Sequence, residues 1–342
     1  MPIKTPLRRS MVGTVLTLFG WLMGGATSPL PSPAHASPPP ADRLIAFYVP
    51  WDQASLSSLQ RNAAQIDVVA AAWISVTGPG HVVTAFADPA GHVALAALPH
   101  RPPLWLMVQN ALNGRWDGGG AAALLNDTVA SRALLDQIDR TAANEHAAGL
   151  IFDFEALPPS AQAGLARFLV EARARCQRHG WTLTATAPVD DPAWDLASLG
   201  RIADRIVLMA YDEHWQSGAP GPIASNPWFA SVISHAIRLI PPGRAVIGVA
   251  SYAYDWPQGR PASVLSIAQA TELARRTGIA VMMDPASGNR HFAYTDHRTP
   301  HQVWMMSAAT VDYQVGLARS AGAGSVALWR LGTEDPAIWA PR

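Results

Sequence analysis

Eight short apolar runs separated by helical patterns constrain this chain more than any other feature. They are "RLIAFYVPW", "IDVVAAAWISV", "PPLWLMVQN", "AGLIFDFE", "WTLTATAPV", "RIVLMAYD", "RAVIGVASYAYDW" and "SVALWRLG". Most are continuous apolar runs, as expected of strands covered on both faces, and such strands belong to parallel sheets with helical crossovers. One crossover, "SAQAGLARFLVEARARCQRHG", carries a stripe of Leu165, Phe168, Leu169 and Ala172, with Ser160 expected to cap its start and Gly180 its end. Eight such units predict an α/β fold, a single (β/α)8 TIM barrel over residues 44–342. A doubly wound sheet is the alternative, but no GxGxxG joins a strand to a helix.

Composition narrows the partners. Net charge is zero and 15% of residues are charged, so nothing points to nucleic acid. Lys4, Arg8 and Arg9 precede "MVGTVLTLFGWLMGG", and Ala34-His35-Ala36 follows as an A-x-A site, which predicts a signal peptide over 1–36. The apolar segment is shorter than the ~20 residues a membrane span needs. The mature chain is therefore expected to be secreted or periplasmic, without a stable membrane anchor, and to open with a Pro-rich linker over 37–43. Cys176 is the sole cysteine, so no internal disulfide can form.

Chemistry is suggested where strands end. In "GLIFDFE", side-chain alternation sets Gly149, Ile151, Asp153 and Glu155 on one face and Leu150, Phe152 and Phe154 on the other. The two acids are either solvated residues just past the strand or a carboxylate pair in a cleft, raised in pKa by burial and mutual repulsion. "RIVLMAYDEHW" likewise ends in Met209, Tyr211, Asp212, Glu213, His214 and Trp215. In a barrel these ends share one rim, where active sites lie. Tyr48 and Asn110, at the ends of the first and third strands, join the candidate substrate contacts, with a turn role the alternative for Asn110. Tryptophan is abundant, 13 against 8 Phe and 6 Tyr, and Trp51, Trp215, Trp256 and Trp329 follow strand candidates where sugar rings could stack. Paired carboxylates beside aromatics suit glycoside hydrolysis.

The motifs "GLIFDFE", "LMAYD" and "LWRLG" resemble glycoside hydrolase family 18, the chitinase-like hydrolases, whose fourth strand carries D-G-x-D-x-D-x-E and whose sixth carries M-x-Y-D. "LMAYDEHWQSGAPGPIAS", "VIGVASYAYDW" and "VALWRLGTED" look closer to the branch of spore-cortex lysins and of hydrolase domains fused to polysaccharide deacetylases. The resemblance implies substrate-assisted retaining hydrolysis beside an N-acetylated sugar. Glu155 would protonate the glycosidic oxygen, Asp153 would steer the substrate's acetamide, Tyr211 would hydrogen-bond it and Trp329 would floor its subsite. The partner implied is an N-acetylglucosamine-containing glycan, with no cofactor and no metal. Two family acids are replaced, by Ala148 and Ile151, and the third strand ends "VQN" where chitinases carry S-x-G-G.

Rival readings are a silent glycan-binding protein of the chitinase-like lectin type and a scaffold in a polysaccharide-handling assembly. Retention of Glu155 argues against the first; no separate binding module is visible for the second. His291, His297 and His301 could be read as a metal cluster, but their irregular spacing fits surface histidines better. "GRWDGGG" reads as a flexible loop whose Trp116 could reach an outer subsite.

Overall fold

A computed structural model describes residues 43–78 and 80–340. The expected signal peptide and linker lie outside these residues, apart from Arg43, which opens the first strand.

All eight apolar runs form strands: β1 (Arg43–Tyr48), β2 (Val68–Thr77), β3 (Leu104–Gln109), β4 (Gly149–Asp153), β5 (Thr182–Pro188), β6 (Arg205–Met209), β7 (Ala245–Ala250) and β8 (Ser325–Trp329). Neighbours pair in parallel in chain order, and β1 pairs with both β8 and β2, which closes the barrel. Closure pairs each of the eight parallel strands on both sides and sends all eight C-terminal ends to one rim.

Alternation divides the strand side chains between two cores. Ile45, Phe47, Val68, Met107, Ile151 and Val207 fill the interior, while Tyr48, Leu150, Phe152 and Phe154 face the helices outside. Interior space is finite, and small residues sit where large ones cross. A Cβ on Gly149 would lie 2.6 Å from the Trp105 ring. The helix after β4, Gln162–His179, buries the expected stripe, and Gly180 ends it at φ 73°. Ser160 does not cap it. The Pro158-Pro159 pair opens a 3-10 turn over Pro159–Ala161, so Ser160 sits inside that turn and the helix begins after it.

The seventh run is not one strand. β7 stops at Ala250, and Ala253–Pro257 leaves the barrel for an antiparallel sheet with Ser263–Leu265, Met282–Met283, Arg290–Asp296 and Thr299–Met305. Helix Ile267–Thr277 belongs to the same insertion and carries a Ser266/Gln269 capping box. No helix among the described residues is long and apolar enough to cross a membrane.

Candidate active site

The rim holds a cleft of about 390 Å³ whose floor includes Asp153, Glu155, Met209 and Tyr211. Each arrives by strand parity. Ile151 points into the barrel, so Asp153 and Glu155, two and four residues on, point the same way and meet the inward side chains of β5 and β6. Tyr211 needs a gap in β7. Gly248 provides it, since a Cβ there would lie 3.1 Å from Tyr211 Cε1.

The acids have few donors. Asp153 is buried and accepts one side-chain hydrogen bond, from Thr186 Oγ1 at 2.6 Å. Burial pushes its carboxyl above the ordinary range, and the Thr186 bond pulls the other way. Glu155 is raised further, first by burial and then by the neighbouring charges of Asp153 and Asp212. Asp212 is pushed up to about 6 by burial, against the hydroxyls of Tyr252 and Tyr254, which both donate to its Oδ1. Burial and the surrounding carboxylates also raise the Tyr211 phenol, which therefore stays protonated. The arrangement sets Glu155, the carboxyl with the stronger hold on its proton, beside a second buried carboxyl and a phenolic donor.

Aromatic walls flank the acids. Trp329 lies edge-on to Phe47, with ring centroids 5.3 Å apart, and both line the cleft. Trp215 is 57% exposed and Trp116 39% exposed, and both face the same space. Trp116 comes from "GRWDGGG", which is structured: Arg115–Trp116 pairs with Ala111–Leu112, and Asp117 caps the helix Gly118–Asn126.

Other expected residues lie elsewhere. Tyr48 does not reach the cleft; it faces the helical layer and donates to Asp88 Oδ2 at 2.7 Å, because parity puts Phe47, not Tyr48, inside. Asn110 is fully buried, with both amide atoms bonded to the Glu155 backbone rather than turned to the cleft. Trp256 is buried at 2% exposure in the inserted sheet, and Trp51 packs against Phe86. Glu213 holds Ser225, the cap of the next helix. His291 stacks on Trp304, whereas His301 bonds Asp255 on the opposite face of the sheet and His297 sits in an exposed turn. Among the described residues no cluster of three or more His, Cys, Asp or Glu could hold a metal ion.

Thr186, Tyr252 and Tyr254 are the polar partners the sequence reading missed. Their signal was present as i, i+2 spacing: Thr182, Thr184 and Thr186 share one face of β5, and Tyr252 and Tyr254 share one face of the chain leaving β7.

Comparison with known proteins agrees with this geometry. The profile of glycosyl hydrolases family 18 matches residues 43–334. The uncharacterized glycosylase YvbX of Bacillus subtilis is 25% identical over 306 residues, covering 85% of this chain and 88% of that protein. The cortical fragment-lytic enzyme of Bacillus subtilis is 29% identical over 251 residues, 69% of this chain but only 58% of the relative's length. A chitinase from Chromobacterium violaceum superposes with a TM-score of 0.78 at 27% identity, covering 87% of this chain and 97% of that one. The Bacillus cereus spore cortex-lytic enzyme SleL shares the fold, with a TM-score of 0.75 at 23% identity over 87% of this chain and 72% of its own. A match across most of the chain, on a barrel with carboxylates at its rim, shows that this protein belongs to glycosyl hydrolases family 18 and is a glycosidase.

Proposed function

We propose that the protein is an exported hydrolase of β-linked N-acetylglucosamine-containing glycans that acts through the substrate's own acetamide. The observation that carries this reading is the meeting of Asp153 and Glu155 in one cleft, both buried, with Glu155 pushed well above the ordinary carboxyl range and Ile151 in the place of a further acid. Glu155 donates its proton to the glycosidic oxygen as the bond to the anomeric carbon breaks. The acetamide carbonyl oxygen closes onto that carbon, giving an oxazolinium-like ion, and the Asp153 carboxylate stabilises the positive charge that builds on the acetamide nitrogen. Tyr211 donates to the acetamide oxygen. Water then attacks the anomeric carbon, gives its proton to Glu155 and reopens the ring, so configuration is retained. Trp329 forms the floor beneath the acetyl group, with Met209 and Asp212 beside it, while Trp215 and Trp116 stack on neighbouring sugars.

Substrate class follows from relatives whose names read chitinase and cortical fragment-lytic enzyme. Export rests on the basic, apolar and A-x-A order of residues 1–36. The test is release of reducing ends from N-acetylated chito-oligosaccharides and from peptidoglycan fragments, with Glu155→Gln as the blank. Release from either, absent in the blank, is expected; no release from both would overturn the reading.

A further inference from the structure

The β3–β4 ladder ends at the pair Gln109 and Asp153. Glu155 lies two residues beyond, where no strand remains to hold its backbone. Its side chain accepts no hydrogen bond among the described residues, so its direction depends on how its own main chain is held. Asn110 does the holding: its Oδ1 accepts from the Glu155 N–H at 2.8 Å, and its Nδ2 donates to the Glu155 carbonyl at 2.8 Å. The amide thus satisfies both main-chain groups of Glu155, as a neighbouring strand would have done.

Asn110 is itself fixed. It is 0% exposed, and its own carbonyl accepts from Asp117 N–H at 2.8 Å, closing the hairpin that carries Trp116. Asp117 is held in turn by the Gly78 and Gly120 amides at 2.6 and 2.8 Å. On the other side, Ala156 turns the chain away with φ 53°, and its carbonyl lies so close to Gly118 that a Cβ there would sit 1.9 Å from it. Glycine is required at 118 for that approach.

We infer that Asn110 is a positioning residue that acts on the reaction only through Glu155, not a sugar contact. The inference rests on the role proposed for Glu155. Its chemistry is specific to asparagine. The clamp needs one acceptor and one donor at the reach of a single methylene: aspartate would turn an oxygen on the Glu155 carbonyl, serine would supply one group, and glutamine is too long. A loosened general acid loses rate rather than affinity, since misplacement of about 1 Å costs about 100-fold.

The experiment compares Asn110→Ala and the near-isosteric Asn110→Asp with wild type on N-acetylated chito-oligosaccharides. Both should lower kcat by about 100-fold with KM within about twofold. In a Glu155→Gln background, Asn110→Ala should cause no further loss. Amide exchange of the 150–157 segment should speed up about tenfold at Glu155 in Asn110→Ala, which removes the acceptor of that N–H, a readout that needs no turnover. A rise in KM with kcat intact would make Asn110 a sugar contact and overturn the inference. So would a wild-type kcat, additive losses in the double variant, or unchanged exchange. Absence of turnover in wild type would instead count against the proposed function, and the exchange measurement would still decide the clamp.

Discussion

Asp88 and Asp153 are both buried carboxylates near the top of the barrel, one on its outer wall and one inside. Asp88 is saturated: Oδ2 receives Tyr48 Oη at 2.7 Å and Trp73 Nε1 at 3.0 Å, and Oδ1 receives the Gly91 amide at 2.9 Å. Asp153 receives Thr186 alone, and its charge, with that of Asp212, pushes the neighbouring Glu155 carboxyl up. Burying a carboxylate without matching donors is costly. Folding needs the first arrangement; the second costs stability and persists where a proton must be held ready near neutrality. Satisfaction, more than burial, separates the structural acid from those proposed to do the chemistry.

Substitution at each place should break the comparison in opposite ways. Glu155→Gln should lower kcat by about 10³-fold or more while glycan affinity stays near wild type, because the amide keeps the shape and loses the transferable proton. Steady-state kinetics and binding isotherms read both quantities. Asp88→Ala should leave kcat/KM unchanged but cost about 3 kcal/mol in denaturant unfolding, since it strands the Tyr48 hydroxyl and the Trp73 indole. Loss of activity with intact stability would put Asp88 on the wrong side of the comparison.

The sequence made most of this barrel legible, since each apolar run carries a barrel strand and alternation set Asp153 and Glu155 on one face, which proved to be the inward one. Parity also shows why Tyr48 was misplaced: it adjoins the inward Phe47, and nothing in "FYVPW" says which of the two aromatics faces in. The inserted sheet was hidden for two reasons. Its hairpin turns through His297 and Arg298, both at positive φ (43° and 69°), without the Asn-Gly signature of such turns. Its first strand continues the apolar run of β7 with only Ser251 and Tyr252 between them. The clamp on Glu155 was out of reach of a single sequence, because Asn110 and Glu155 meet only when β3 and β4 align.

Smaller effects sharpen the comparison inside the cleft. Thr186→Val removes the one donor that lowers the Asp153 pKa. A hydrogen bond to a charged group contributes about 1.5 kcal/mol, about one pH unit, so the acidic limb of kcat/KM should move up by about that amount. An unmoved limb would show that Asp153 ionisation does not set it. The smallest expected effect is on stability. Asp212 has its pKa raised to about 6 in the folded protein, so its contribution is present below the unfolded value near 4 and lost as pH rises through about 6. Melting temperature should therefore fall between pH 4 and pH 7, and Asp212→Asn should flatten that slope. Asp153 and Glu155, shifted in the same direction, should preserve part of it.

The central claim is that Asp153 and Glu155 are left short of donors so that one steers an acetamide while the other protonates the leaving group. Its most direct test is cleavage of matched chito-oligosaccharides, fully N-acetylated and fully deacetylated, under identical conditions. A glucosamine in the reacting subsite carries no carbonyl oxygen to attack the anomeric carbon. The acetylated chain should be cut and the deacetylated chain should be inert, with partly acetylated chains cut only beside an acetylated unit. Equal cleavage of the two chains would contradict the account, even if Glu155 proved indispensable.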